Sequence, residues 1–155
     1  SFLQEEVYQR MRIHTNVSTK EMHGPGRWLN VKELTLTVID ANIVLRYLLD
    51  DIPDQADKAA KLIEKQKVLI PHEVLAEVVY VLSGVYSVDR TEIASALRNF
   101  LAQSTVHVTK KDVASVAIDL YGSSRLDFVD CLLVGWHHAG RKVATFDQEL
   151  MRELA

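Results

Sequence analysis

The sequence predicts an α/β protein, with helices packed on a mainly parallel sheet. Three observations point there. From residue 34 onward, short apolar segments alternate with helical patterns, the order that builds a parallel sheet with crossover helices. The strand-like segments lack clean polar alternation, as expected where helices cover both faces. The chain has 155 residues, 48% hydrophobic and 25% charged, an ordinary globular composition long enough for one sizeable core.

The elements follow in order. Leu34–Ile39, which ends in the apolar, β-branched pair Val38 and Ile39, reads as a buried strand. Residues 41–49 read as a helix, and Asp54–Gln66 as a second with Ala56, Ala59, Ala60 and Ile63 on one side. Lys67–Ile70 is a short strand. Pro71 then opens a helix over His72–Leu82, since proline is tolerated in a first turn. Asp89 or Thr91 caps a helix that runs to about Ala102. Helices 54–66 and 89–102 read as an α-hairpin-like excursion between the strands. Thr105–Val108 is a strand. Lys110–Tyr121 is a helix closed by Gly122, and Asp127–Ala139 another closed by Gly140. Lys142–Thr145 is a last strand and Asp147–Leu154 a last helix. Residues 1–33 stand apart as an N-terminal extension or arm, separate from a domain over 34–155. FLQEEVYQRMRI within it has the spacing of a short amphipathic helix, and His23-Gly24-Pro25-Gly26 breaks the chain.

Composition narrows the function. A net charge of −3 excludes a strongly basic nucleic-acid coat, though not a local patch. Cys131 is the single cysteine, so no intrachain disulfide forms, and its apolar context makes it a small core residue. No apolar run is long enough to span a membrane, and the charged N-terminus is no signal peptide. A cytoplasmic setting without membrane attachment is expected. Gly24-x-Gly26 lacks a third glycine and a preceding strand, so it is no nucleotide fingerprint.

The acids carry the chemistry. Asp40 follows the first predicted strand and Asp147 the last. Parallel strands that lead into crossovers end on one sheet edge, and ligands of open α/β sheets bind there. Asp127 and Asp130 share one face of a helix start. Glu77 lies in an otherwise apolar helix, although it shares a face with Glu73 and Tyr80. A structural reading stands beside each: Asp40, Asp127 and Asp147 occupy N-cap-like positions, and Asp127 with Asp130 resembles a capping box. Several carboxylates at one edge repel each other unless neutralised. Carboxylate oxygen is the ligand type of Mg²⁺ and Mn²⁺, and such ions support phosphodiester hydrolysis.

TVIDANIVLRYLL (37–49) resembles the opening strand and helix of a PIN domain. EVLAEVVYVL (73–82) and LDFVDCLLVGWHHAGRKVATFD (126–147) agree with it in order and spacing. The likeness covers about residues 34–154 and is greatest to the toxin subunit of VapBC-type toxin–antitoxin pairs. It implies a three-layer α/β/α sandwich and a metal-dependent endoribonuclease that cleaves RNA. The family's acids fall on Asp40, Glu77, Asp130 and Asp147, as catalytic residues and ligands of one or two Mg²⁺ or Mn²⁺. Asp127 matches an additional acid, while Asn42 and Thr145 match supporting polar residues. Cys131 replaces the usual alanine after the third acid. The long N-terminal extension is a departure, and Met22 is a candidate native start. The likeness also implies a homodimer, packed through helices such as 54–66 and 89–102, and an antitoxin partner. Residues 1–33 are a candidate cover for a neighbouring subunit.

Arg46, one turn beyond Asn42, and Arg125, before the acidic helix, are candidate substrate contacts. Arg46 alternatively forms a surface ion pair. The six histidines are not needed as bases, and His137-His138 suits a helix C-terminus. The competing readings are a non-catalytic PIN-like interaction module and a phosphotransfer domain of receiver or haloacid dehalogenase type. The dehalogenase type wants an acid where Asn42 stands. The receiver is weakened by Asp50-Asp51 falling at a helix end.

Overall fold

A computed structural model describes residues 35–155. The extension over residues 1–33, with its predicted helix, lies outside the described residues. Three strands form one parallel sheet in the order β1-β2-β3: β1 (Thr37–Val38), β2 (Val68–Ile70) and β3 (Val106–Val108). Thr37 pairs with Val68 and Val38 with Leu69, while Leu69 also faces His107 across the other ladder. Seven helices surround the sheet among the described residues: α1 (Ala41–Leu49), α2 (Pro53–Lys65), α3 (His72–Gly84), α4 (Arg90–Leu101), α5 (Lys111–Ser123), α6 (Phe128–His138) and α7 (Gln148–Glu153). The predicted α/β/α sandwich is the observed architecture.

Each helix is placed by what it buries. In α1, Ala41, Val44, Leu45 and Leu48 turn inward. The helix stops where Asp50 adopts a left-handed conformation (φ 48°) and its N–H donates to Arg46 O, a C-terminal closure. Pro53 opens α2, which buries only Ala56, Ala59 and Ile63. Its packing partner is α1. Leu75, Val78, Val79 and Leu82 carry α3 into the core. β2, with Val68 and Ile70 fully buried, is the sheet's centre.

Four sequence expectations are corrected. The Lys142–Thr145 segment forms no strand. Its burial still alternates, with Val143 and Thr145 partly covered and Lys142, Ala144 and Phe146 exposed. The chain is patterned for pairing but has no ladder partner among the described residues. Correspondingly, β1 is shorter and more open than predicted. It is only two residues long, bonds through Thr37 N and Ile39 N to the β2 side, and leaves Val38 61% exposed. Helices 54–66 and 89–102 are not one hairpin: α2 packs on α1, and α4 on α5.

Gly122 does not close α5 but lies within it. A Cβ there would sit 2.8 Å from Ala94 Cβ on α4, so this glycine sets a close helix crossing. Gly135 does the same between α5 and α6, where a Cβ would fall 2.5 Å from Val113 O. Gly140 is the expected cap: its φ is +82° and its N–H donates to His137 O at 2.9 Å.

Gly135→Ala is therefore expected to lower unfolding stability by about 1–3 kcal/mol, the usual cost of overpacking. Gly84→Ala has open space around it and should be neutral or stabilising by up to about 1 kcal/mol. Chemical denaturation of the two variants checks the contrast.

Candidate active site

The first N–H groups of a helix lack intrahelical acceptors. Aspartate fills three of these openings, one of them directly after a strand. Asp40 Oδ1 accepts from Ile43 N at 3.0 Å, at the start of α1. Asp127 Oδ1 accepts from Asp130 N at 2.9 Å, at the start of α6. Asp147 Oδ1 accepts from Glu149 N and Leu150 N, both at 2.8 Å, at the start of α7. In all three, Oδ1 makes the cap. Each of the three residues is exposed.

Asp130 sits one turn into α6 and is partly buried. Burial pushes its carboxyl above the ordinary carboxylate range, and the negative charges of Asp127, Asp147 and Glu149 push it further. These acids therefore share one electrostatic neighbourhood at the starts of α6 and α7. The position of Asp147 depends on Thr145, whose Oγ1 accepts from Asp147 N at 3.0 Å. Asp147 thus follows an extended segment rather than a strand.

Asp40 lines, with Asn42, a groove of about 260 Å³ between α1 and α2. Glu77 lies on the exposed face of α3, beside Glu73 and Tyr80 in helical register. Among the described residues, no three side chains of metal-ligating type stand close enough to hold one ion. Asp127 and Asp147 lie near enough to Asp130 for their charges to raise its carboxyl. The donor chemistry suits a hard divalent cation: oxygen ligands only, with repulsion that such a cation relieves.

Neither arginine is placed as a simple phosphate contact. Arg46 Nη1 lies 2.6 Å from both carboxylate oxygens of Asp51, and Asp51 also accepts from the Tyr86 hydroxyl at 3.2 Å. Arg125 is exposed. Cys131 is buried, and its thiol is pushed up to about 11, chiefly by burial; it is an inert core residue.

Arg90 on α4 is a positioning residue that sequence reasoning missed. Its Nε donates to Tyr121 O at 3.0 Å, its Nη2 donates to Leu126 O, and its guanidinium lies 3.8 Å above the Tyr121 ring. It thereby fixes both ends of the connection that delivers Asp127 and Asp130. No local motif marks an arginine for carbonyls more than 30 residues away.

Exposed carboxylates around a raised carboxyl are chemically suited to a hard divalent cation, and such an ion can activate water for hydrolysis. The PIN domain family model matches residues 37–155, and the chain belongs to this family, whose members are nucleases that generally use divalent metal ions. No curated protein and no solved structure gives a significant match.

The raised Asp130 carboxyl sets a pH test. The folded state holds that proton to higher pH than the unfolded chain does. The stability this gives is complete below the unfolded carboxylate range, near about 3.9, and is lost as pH rises through the folded value. Asp130→Asn should therefore be more stable than the parent at pH 7, with the advantage shrinking toward pH 4. Thermal unfolding of both proteins across that range checks it.

Proposed function

We propose that the chain is a metal-dependent endoribonuclease that hydrolyses RNA phosphodiesters, and that it is the toxin of a toxin–antitoxin pair. The observation that carries the nuclease reading is the Asp130 carboxyl, raised among Asp127, Asp147 and Glu149 within a PIN domain. Neutralising such a group is what a divalent cation does. Asp40, Glu77, Asp130 and Asp147 would hold Mg²⁺ or Mn²⁺, with Asp127, Asn42 and Thr145 in support. When bound, the ion supplies an activated water at neutral pH and stabilises charge on the phosphoryl oxygens.

The chain's own part is to fix the carboxylates. Capping locks Oδ1 of Asp40, Asp127 and Asp147, the α6 start is held by Arg90, and Thr145 orients the Asp147 backbone. A homodimer and an antitoxin belong to the same reading. Tyr80 and Val85, 75% and 69% exposed, offer apolar surface for such contacts. The outward faces of α2 and α4 are polar, with Lys61, Glu64, Ser95 and Asn99 exposed. The setting proposed is the cytoplasm. Among the described residues no helix is long and apolar enough to cross a membrane.

A non-catalytic interaction module is the second reading. One observation favours it: no three ligand-type side chains come together among the described residues.

Asp40→Asn separates the two roles of that residue, because asparagine caps a helix about as well as aspartate. The variant should keep its unfolding temperature and lose Mn²⁺-dependent RNA cleavage by at least about 100-fold. Equal cleavage by the variant, or cleavage by the parent in excess chelator, would sink the mechanism. Mn²⁺ at 100 times its dissociation constant should raise the parent's stability by about 2.7 kcal/mol. An unchanged stability curve would favour the interaction module. Light scattering should find a dimer, and a monomer at all concentrations would remove that part of the proposal.

A further inference from the structure

The groove between α1 and α2 has a composition that the acid site does not use. Its apolar floor is Ile43, Ala59 and Leu62. Two side-chain amides, Asn42 and Gln55, stand at its walls, each able both to donate and to accept hydrogen bonds. Two cations line it, Arg46 and Lys58. Arg46 is already neutralised by Asp51 at 2.6 Å. Lys58 is exposed and has no ion-pair partner among the described residues. Asp40 lines the same groove, so the groove opens directly onto one of the proposed metal ligands.

We propose that this groove is a subsite for one nucleotide of single-stranded RNA, with Lys58 contacting a backbone phosphate. Unstacked bases of single strands present a flat apolar face and a polar edge. An aliphatic floor flanked by amides suits both. At about 260 Å³ the groove has room for one base-sized group and not for a duplex. An exposed lysine beside such a floor is placed to meet a phosphate, the contact that supplies most of the affinity for a nucleic-acid strand. The subsite rests on the ribonuclease reading for its place next to Asp40, but its occupancy is measurable without cleavage.

The helical register supports a single binding face. Gln55, Lys58, Ala59 and Leu62 recur at spacings of three and four along α2, and Asn42, Ile43 and Arg46 do so along α1, which puts each set on one stripe. Lys61, on the same helix, is exposed and does not line the groove. It is a charge-matched control.

The test is binding of a fluorescein-labelled, random-sequence RNA 12-mer to the full chain in excess chelator, across a salt series. Lys58→Ala should weaken binding about fivefold and reduce the salt slope by about 0.7, the value for one phosphate contact on a single strand. Lys58→Arg should restore both. Lys61→Ala should change neither, and all variants should unfold at the parent's temperature. Three results overturn the subsite: a parent that binds no RNA, a Lys58→Ala variant that binds like the parent, or equal weakening by Lys61→Ala. A groove that takes a polypeptide segment instead gives the second result. Failure of the ribonuclease reading looks different: Lys58-dependent binding persists while Mn²⁺ produces no cleavage.

Discussion

Parallel pairing governs the rest of this structure. Two parallel strands cannot be joined by a tight turn, so the chain must leave β1 and β2 through helices and return to start the next strand at the opposite end. The strands therefore point the same way, and the chain exits them at one edge. Every exit begins a helix with unsatisfied N–H groups. Edge and openings together create a row of places where a short acid is favourable on local grounds. Asp40 fills one after β1. Asp127 and Asp147 fill equivalent openings at α6 and α7, which have no strand immediately before them.

This resolves the apparent choice between capping and chemistry. The cap uses one carboxylate oxygen, contributes about 1 kcal/mol to stability, and holds the side chain in a single orientation. The exposed side of the same group is then presented rather than free to rotate. An acid held for local reasons is preorganised for a ligand at no further cost in conformational entropy. Asp130 differs, because it caps nothing. It is held in part-buried surroundings among like charges, so it gains most from a cation.

How far the sequence disclosed this varies by element. Helices with a broad apolar stripe and a clear opening residue, such as α1, α3 and α6, are legible to within two residues at each end. Local chemistry fixes them. Lys142–Thr145 has strand pattern without a strand, because pattern is necessary but not sufficient: the alternation is real, whereas a ladder needs a partner backbone that one segment cannot reveal. The role of Gly122 is a distance to Ala94, a tertiary fact without local signature. In the site, the N-capping aspartates were visible as polar residues at apolar seams. The ion pair that ties Arg46 to Asp51, and the exposure of Lys58 to the α1–α2 groove, required the packing of two helices to be known.

The missing side chain of Gly135 has a mechanical consequence. With Val113 O where its Cβ would be, α6 lies backbone against backbone on α5, and Arg90 bolts the connection between them. Helices in such contact move as one body, since sliding would drive peptide groups into one another. Asp130 is then the stationary wall of the site. Asp40 and Asp147 stand on other segments: Asp40 follows the two-residue β1, and Asp147 follows residues 142–146, which join no ladder among the described residues. The α5–α6 contact thus fixes Asp127 and Asp130 through tertiary packing, whereas Asp40 and Asp147 take their positions from local hydrogen bonds at their own helix starts.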